Sequence, residues 1–325
     1  MSRELNKTRE ELAALFLAAL EEERLPWHQP WLNHGPGLGA SVNAVTGKAY
    51  RGINALMLWV TSLKEGYSDP RWCSYNQAKS KGWYVLKGET GTHIELWKAF
   101  DRKTKKSMDF SEMYRIIQDD PDREADFTPY SKCSAVFNGS QIQGIPPLPA
   151  LEEHPAPEYS NDLLAEFTDT YLQTEGIPLI TKNYAAYSPG KDELYMPEKE
   201  LFHSELDYYD TLLHECAHST GHVSRLNREM QHNDPEKYAI EELRAEMSGA
   251  FLLSAAGCEV PASITENNKA YIQSWADKIR EDKNALFSAI KDAYAITDFV
   301  SERGHLQELV EKYENEETPV MGMAM

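Results

Sequence analysis

The spacing of apolar residues along the chain predicts helices and short strands in a different order in its two halves. The first 23 residues form an amphipathic helix, without the unbroken apolar run behind a basic start that marks a signal peptide. Leu25-Pro-Trp-His-Gln-Pro-Trp-Leu32 reads as a Pro-bounded extended segment, and Gly35, Gly37 and Gly39 as a turn or loop. From Thr46 a basic turn leads into an apolar helix with Asn54 near its start, and Ser74 to Gly82 is a short helix with a glycine stop. Trp83 to Phe100 gives two short strands joined by a tight glycine-containing turn. Residues 101–128 are charged and poor in apolar positions, which predicts a mobile excursion, and Tyr130 to Asn138 resumes as a strand.

A Pro-rich stretch from Ile145 to Pro157 then separates the halves. Beyond it, Leu163, Leu164, Phe167 and Tyr171 mark a helix over 160–175, capped by Ser160 or Asn161. Leu179–Lys182, Ala185–Ser188 and Glu193–Pro197 are short strands, the last assigned to a sheet edge because of Pro197. An edge strand beside a catalytic site could pair with an extended peptide. Leu206, Tyr209, Leu213 and Ala217 set the apolar side of a helix with Asp207 as its N-cap and Gly221 at its stop. A helix from Pro235 to Gly257 and two more over 264–281 and 283–300 follow, and the chain ends in a tail from Glu314. These elements give an α+β protein of two domains: a mixed α/β domain over 1–145, a linker over 146–158 and a mainly helical domain with a small sheet over 159–325.

Composition adds little to this until it is divided by position. With 41% hydrophobic and 26% charged residues, 325 residues suffice for two globular domains, and no run approaches a membrane span. Cys73, Cys133, Cys216 and Cys258 form no C-x-x-C and read as the reduced thiols of a cytosolic protein. The net charge is −19, yet residues 1–150 hold 19 Lys and Arg against 18 Asp and Glu, and residues 27–110 hold 12 against 6. Six of the seven tryptophans precede residue 100. Cations interleaved with aromatic rings suit single-stranded nucleic acid, because phosphates need charge and unpaired bases stack. Lys48, Arg51, Lys79, Lys81, Lys87 and Lys98 could supply that charge, with Arg51 and Asn54 placed to meet a phosphate at a helix start. The same tryptophans could equally be core residues.

The strongest chemical signal is His214-Glu215-Cys216-Ala217-His218. On a helix, residues four apart differ by about 40° around the axis, so both imidazoles leave one face and can hold one zinc ion. The ion acidifies water and Glu215 is the general base. The bland alternative is a chance match in a helical protein. Further on, Glu242-Leu-Arg-Ala-Glu246 sets two carboxylates on one helix face. One could ligate and the other could hold a ligand imidazole by its far nitrogen, unless both are surface acids. The pair resembles the third-ligand element of glutamate-zincin peptidases, which implies Glu242 as ligand and Glu246 as its support. His222 competes, but Ser224 stands where a metzincin would have its third histidine, so His222 reads as a loop residue near the site.

Taken together the motifs resemble the ArdC-type antirestriction proteins of conjugative plasmids. The match runs through Pro26-Trp27 to Trp31, Tyr50-Arg-Gly-Ile-Asn54, Arg71-Trp72 with Gln77, Lys87-Gly-Glu89, Val136-Phe-Asn138, Tyr187 to Pro197, His214 to Arg225 and Glu241 to Glu246. The resemblance implies a single-stranded DNA-binding domain joined to a zincin-like metallopeptidase domain, protecting incoming plasmid DNA from restriction. It implies a metal, zinc with manganese or cobalt also accepted, on His214, His218 and Glu242. It points to Trp27, Trp31, Lys48, Arg51, Asn54, Trp72, Gln77 and Lys87 for DNA. The partners implied are single-stranded DNA, duplex DNA as a further ligand, and a restriction enzyme or another DNA-bound protein as target. Two alternatives stand beside it: a protein that occludes DNA while its metal site is structural or idle, and a zinc peptidase that does not use DNA.

Overall fold

The computed structural model describes residues 7–22, 25, 41–148, 160–228, 230, 235–258 and 266–317. The chain divides into two units, Met1–Leu12 with Ser41–Pro147 and Ala13–Ala40 with Leu148–Met325, so α1 (Lys7–Glu21) contributes to both. Each unit mixes helix and strand, the α+β class expected.

In the first unit, β1 (Val42–Asn43) precedes α2 (Ile53–Glu65), β2 (Arg71–Ser74) and α3 (Tyr75–Ser80). Then come β3 (Tyr84–Val85), β4 (Thr92–Asp101), β5 (Lys106–Met108), α4 (Phe110–Asp119), β6 (Phe127–Asn138) and β7 (Ile142–Gln143). Five strands form one sheet in the order β1-β2-β6-β4-β5, held by the long antiparallel ladder from Thr92↔Val136 to Asp101↔Phe127. Trp72, Ile94 and Val136 of the sheet bury against Leu58 of α2.

Two expectations change here. β3 does not form a hairpin with β4 but pairs with β7, because Val85 joins a separate apolar cluster with Ala78 and Ile142. The charged stretch 101–128 is not a mobile excursion but a folded one. Phe110, Met113, Ile116 and Ile117 fall on one face of α4 and pack on Ala99, Met108 and Phe127. Asp101, 1% exposed, takes bonds from Lys103, Thr104 and Arg123, so several of the charges are spent inside the fold.

The second unit contains α5 (Ser160–Glu175), β8 (Leu179–Thr181), β9 (Ala186–Ser188), β10 (Glu193–Met196), α6 (Glu205–Ser219), α7 (Pro235–Ala255), α8 (Glu266–Glu281), α9 (Lys283–Arg303) and α10 (Leu306–Glu317). The helix α10 reaches into the segment that sequence alone assigns to a tail. The sheet order is β8-β10-β9, so the strand before Pro197 is central, not an edge. Pairing ends at Met196, and a proline one residue later takes no hydrogen bond from either ladder. The edges are β8 and β9. Trp275, Ile279, Leu286, Phe287 and Ile290 are buried, as their helical spacing requires.

Candidate metal centre

The helix α6 starts three residues ahead of the expected cap. Ser204 is the N-cap, its hydroxyl accepting the Asp207 N–H at 3.0 Å, and Asp207 sits in the first turn beside the positive helix end. Thr220 closes the helix, and the Gly221 N–H donates to the His218 carbonyl at 2.9 Å. An added Cβ at Gly249 of α7 would stand 3.6 Å from the His214 backbone nitrogen, so the two helix backbones run close at the metal motif.

His214 and His218 project from one face of α6 with their Nε2 atoms 3.0 Å apart. Across from them Glu242 of α7 brings Oε2 to 3.6 Å from His214 Nε2 and Oε1 to 3.3 Å from His218 Nε2. One ligand atom from each of the three residues lies within 4.8 Å of the others. Atoms bound 2.0–2.2 Å from a tetrahedral ion stand about 3.3 to 3.6 Å apart, which is the spacing found between the carboxylate and the rings. Glu242 Oε1 is buried without a hydrogen bond, its approach to His218 lacking the alignment of one. A buried carboxylate oxygen left this way is costly, and a cation would satisfy it. The donor set therefore fits a divalent ion.

The electrostatics agree. Burial alone would lower both imidazoles, but Glu242 on His214, and Glu241 and Glu242 on His218, outweigh it and hold the rings up at about 9 and about 10. Burial would raise the Glu242 carboxylate, and the two imidazoles reverse this to hold it well below the usual range. The site favours positive charge, whether proton or metal.

The surrounding residues came only partly from sequence. Glu246 Oε1 lies 3.5 Å from His214 Nδ1, the place expected of a support. His218 Nδ1 has a partner that sequence reasoning missed, Glu241 Oε1 at 3.3 Å. Glu241 is 1% exposed and also accepts from Arg228 at 2.7 Å and from Arg244 at 3.4 Å. Against the upward pull of burial, His218 and Arg228 hold it down at about 2. Its place beside Glu242 was no signal in itself, because α7 also carries Glu236, Lys237, Arg244 and Glu246. Tyr238, one turn before Glu242, hydrogen-bonds that carboxylate, and burial together with this bond raises its phenol.

Glu215 is buried, and its Oε2 accepts the Tyr187 N–H of the edge strand β9 at 2.7 Å. The Tyr187 hydroxyl donates to Asp192 at 2.6 Å and accepts from Arg225 at 3.0 Å. Arg225 also reaches Asp192 and donates to the Ser219 carbonyl at 2.7 Å, so the strand is clamped to the end of α6. Cys216, inside the motif, is buried and its thiol is pushed up, which suits packing and not nucleophilic work. His222 stands outside the cluster, with Nδ1 2.8 Å from Ser224 Oγ.

Of the residues nominated for DNA, Trp27 and Trp31 lie outside the described residues. Trp72 is 0% exposed and belongs to the core, so it cannot stack on a base. Asn54 is not open to a phosphate either, since its amide nitrogen donates to the Glu95 carbonyl at 2.7 Å and its oxygen accepts the Glu95 N–H at 2.8 Å. Gln77 completes a capping box with Ser74, accepting the Ser74 N–H at 2.9 Å. Lys48, Arg51 and Lys87 are exposed.

Known proteins share both halves of this arrangement. Residues 6–137 match the N-terminal domain of anti-restriction factor ArdC, and residues 166–292 match a zincin-like metallopeptidase family. A DNA primase TraC of Escherichia coli is 36% identical over 90% of this chain, which spans 27% of that protein's length. Crystal structures of the antirestriction protein ArdC from plasmid R388 are 30% identical and superpose with TM-scores of 0.68 in the metal-free and 0.70 in the Mn(II)-bound form. Each covers 92% of this chain, and this chain covers 98% of each.

Proposed function

The chain belongs to the ArdC antirestriction family, and on that premise we propose that it binds single-stranded DNA through its first unit and carries a divalent-metal peptidase site in its second. Its role is to protect plasmid DNA entering the cytoplasm during conjugation, by cutting a protein bound to that DNA, a host restriction enzyme foremost. The family's Mn(II)-bound structure and its zincin-like domain support a divalent metal, with zinc as the ion such donor sets commonly hold. Similarity to part of a DNA primase fits work on DNA.

In this reading His214, His218 and Glu242 hold the ion, Glu246 and Glu241 orient the two imidazoles, and Glu215 is the catalytic base. When bound, the ion supplies Lewis acidity. The rest falls to the chain's own groups. Glu215, held at Oε2 by the Tyr187 N–H, offers its other oxygen to receive a proton and return it to the leaving amine. The edge of β9, clamped by Arg225 and Asp192, gives an extended peptide a strand to lie beside.

The observation that carries this reading is the buried Glu242 carboxylate, its Oε1 without a hydrogen bond and its two oxygens facing one ring nitrogen each. The test is an antirestriction assay on Glu215→Ala with oligonucleotide binding measured in parallel. Protection should fall to the level of cells without the protein while DNA binding survives. Undiminished protection would mean that the chain shields DNA by occupying it, and loss of DNA binding in the wild type would leave a peptidase unconnected to DNA.

A further inference from the structure

With Trp72, Asn54 and Gln77 consumed by the fold, strand binding by the first unit needs other groups. The turn at 44–48, α3 and β3 close over one small apolar cluster, in which Ala44, Val45, Ala78, Trp83, Val85 and Ile142 meet. Neighbouring residues on a strand face opposite ways, so inward Val85 forces Tyr84 outward. At 69% exposure it is the most open aromatic ring among the described residues. Tyr75, at the start of α3, is 56% exposed, and Lys79 follows it one turn on. Lys48, Lys81 and Lys87 lie exposed in or beside the same turn, helix and strand, and none of the four lysines has an ion-pair partner among the described residues.

Charge points the same way. Between residues 41 and 88 there are seven Lys and Arg against two Asp and Glu, in a protein of net charge −19. Both acids are engaged, Glu65 by Lys64 and Asp69 by Arg71. The other exposed lysine group, Lys103, Lys105 and Lys106, belongs to a stretch that also holds Asp119, Asp120, Asp122 and Glu124, which offset its field.

We infer that the outer surface of this cluster is the grip for single-stranded DNA. Tyr84 and Tyr75 stack on unpaired bases, and Lys48, Lys79, Lys81 and Lys87 meet the phosphates between them. Duplex DNA cannot use the rings, because its bases are already stacked. The inference rests on the reading of the first unit as strand-binding and names the surface that does it.

The test is fluorescence anisotropy of a labelled oligothymidylate with the full chain and its variants. Tyr84→Ala and Tyr75→Ala should each weaken binding about 5- to 150-fold, and Tyr84→Phe should keep it, since the ring does the work. The combined Lys79→Ala, Lys81→Ala, Lys87→Ala variant should lower the slope of log affinity against log salt by about 2. Replacing Lys103, Lys105 and Lys106 by Ala should change neither. A wild type that binds while the tyrosine and lysine variants bind equally well, with the same salt slope, would overturn this surface alone. A wild type that leaves the oligonucleotide free would overturn the strand-binding reading and the surface with it. Exposed positions should leave the melting temperature unchanged, and the Phe and lysine variants decide the matter should Tyr84→Ala melt early.

Discussion

At the scale of single residues, the proposed metal site depends on groups beyond its three candidate ligands. Glu241 steers His218 from the far side of its ring, so Glu241→Gln should weaken Mn(II) affinity about 10- to 100-fold in a calorimetric titration, while leaving the three ligands in place. Asn54→Ala removes two bonds to the Glu95 backbone and should cost about 1 to 2 kcal/mol in chemical denaturation without altering oligonucleotide affinity. Acid tests the clamp on β9. Burial alone would raise the Asp192 carboxylate, but Arg225 and Tyr187 donate to it and hold it below its ordinary value. A depressed carboxylate contributes stability that is complete above its unfolded value of about 3.9 and is lost as pH falls through the lower folded value. The difference in melting temperature between wild type and Asp192→Asn should therefore be full at pH 7 and shrink below about pH 4. His214 and His218 were legible in the chain because helical periodicity sets which side chains share a face, whereas Glu242 was singled out from Glu246 only by its resemblance to the glutamate-zincin element. Glu241 and Tyr187 were not legible, because their roles arise where one element meets another.

At the scale of elements, periodicity was a good guide where it was strong and misled where charge masked it. The helix α4 lies in a stretch so rich in Asp, Lys and Arg that it read as unstructured, yet four apolar residues on one face are enough to anchor it to the sheet. Met113→Ala should cost about 2 kcal/mol or more in denaturant titrations, whereas a mobile excursion would tolerate it freely. Proline misled differently. Pro197 excludes a ladder bond at its own position only, and β10 ends one residue before it, so the strand could be central. The pairing of β3 with β7 joins residues nearly sixty positions apart, and no local turn signal announces such a contact.

At the scale of the whole molecule, the two-domain α+β plan was visible in the sequence because charge, tryptophan and helical pattern all change along it. The acidic balance falls on the half that carries the metal motif, and the local basic excess falls between residues 41 and 88. Among the described residues no helix is long and apolar enough to cross a membrane. The account as a whole stands on one ion held between α6 and α7, and its metal content is the most direct test. Purified protein dialysed against Mn(II) or Zn(II) and analysed by elemental mass spectrometry should hold one ion per chain, and His218→Ala and Glu242→Ala should hold none. Equal metal content in the wild type and both variants would place the ion elsewhere and contradict the account.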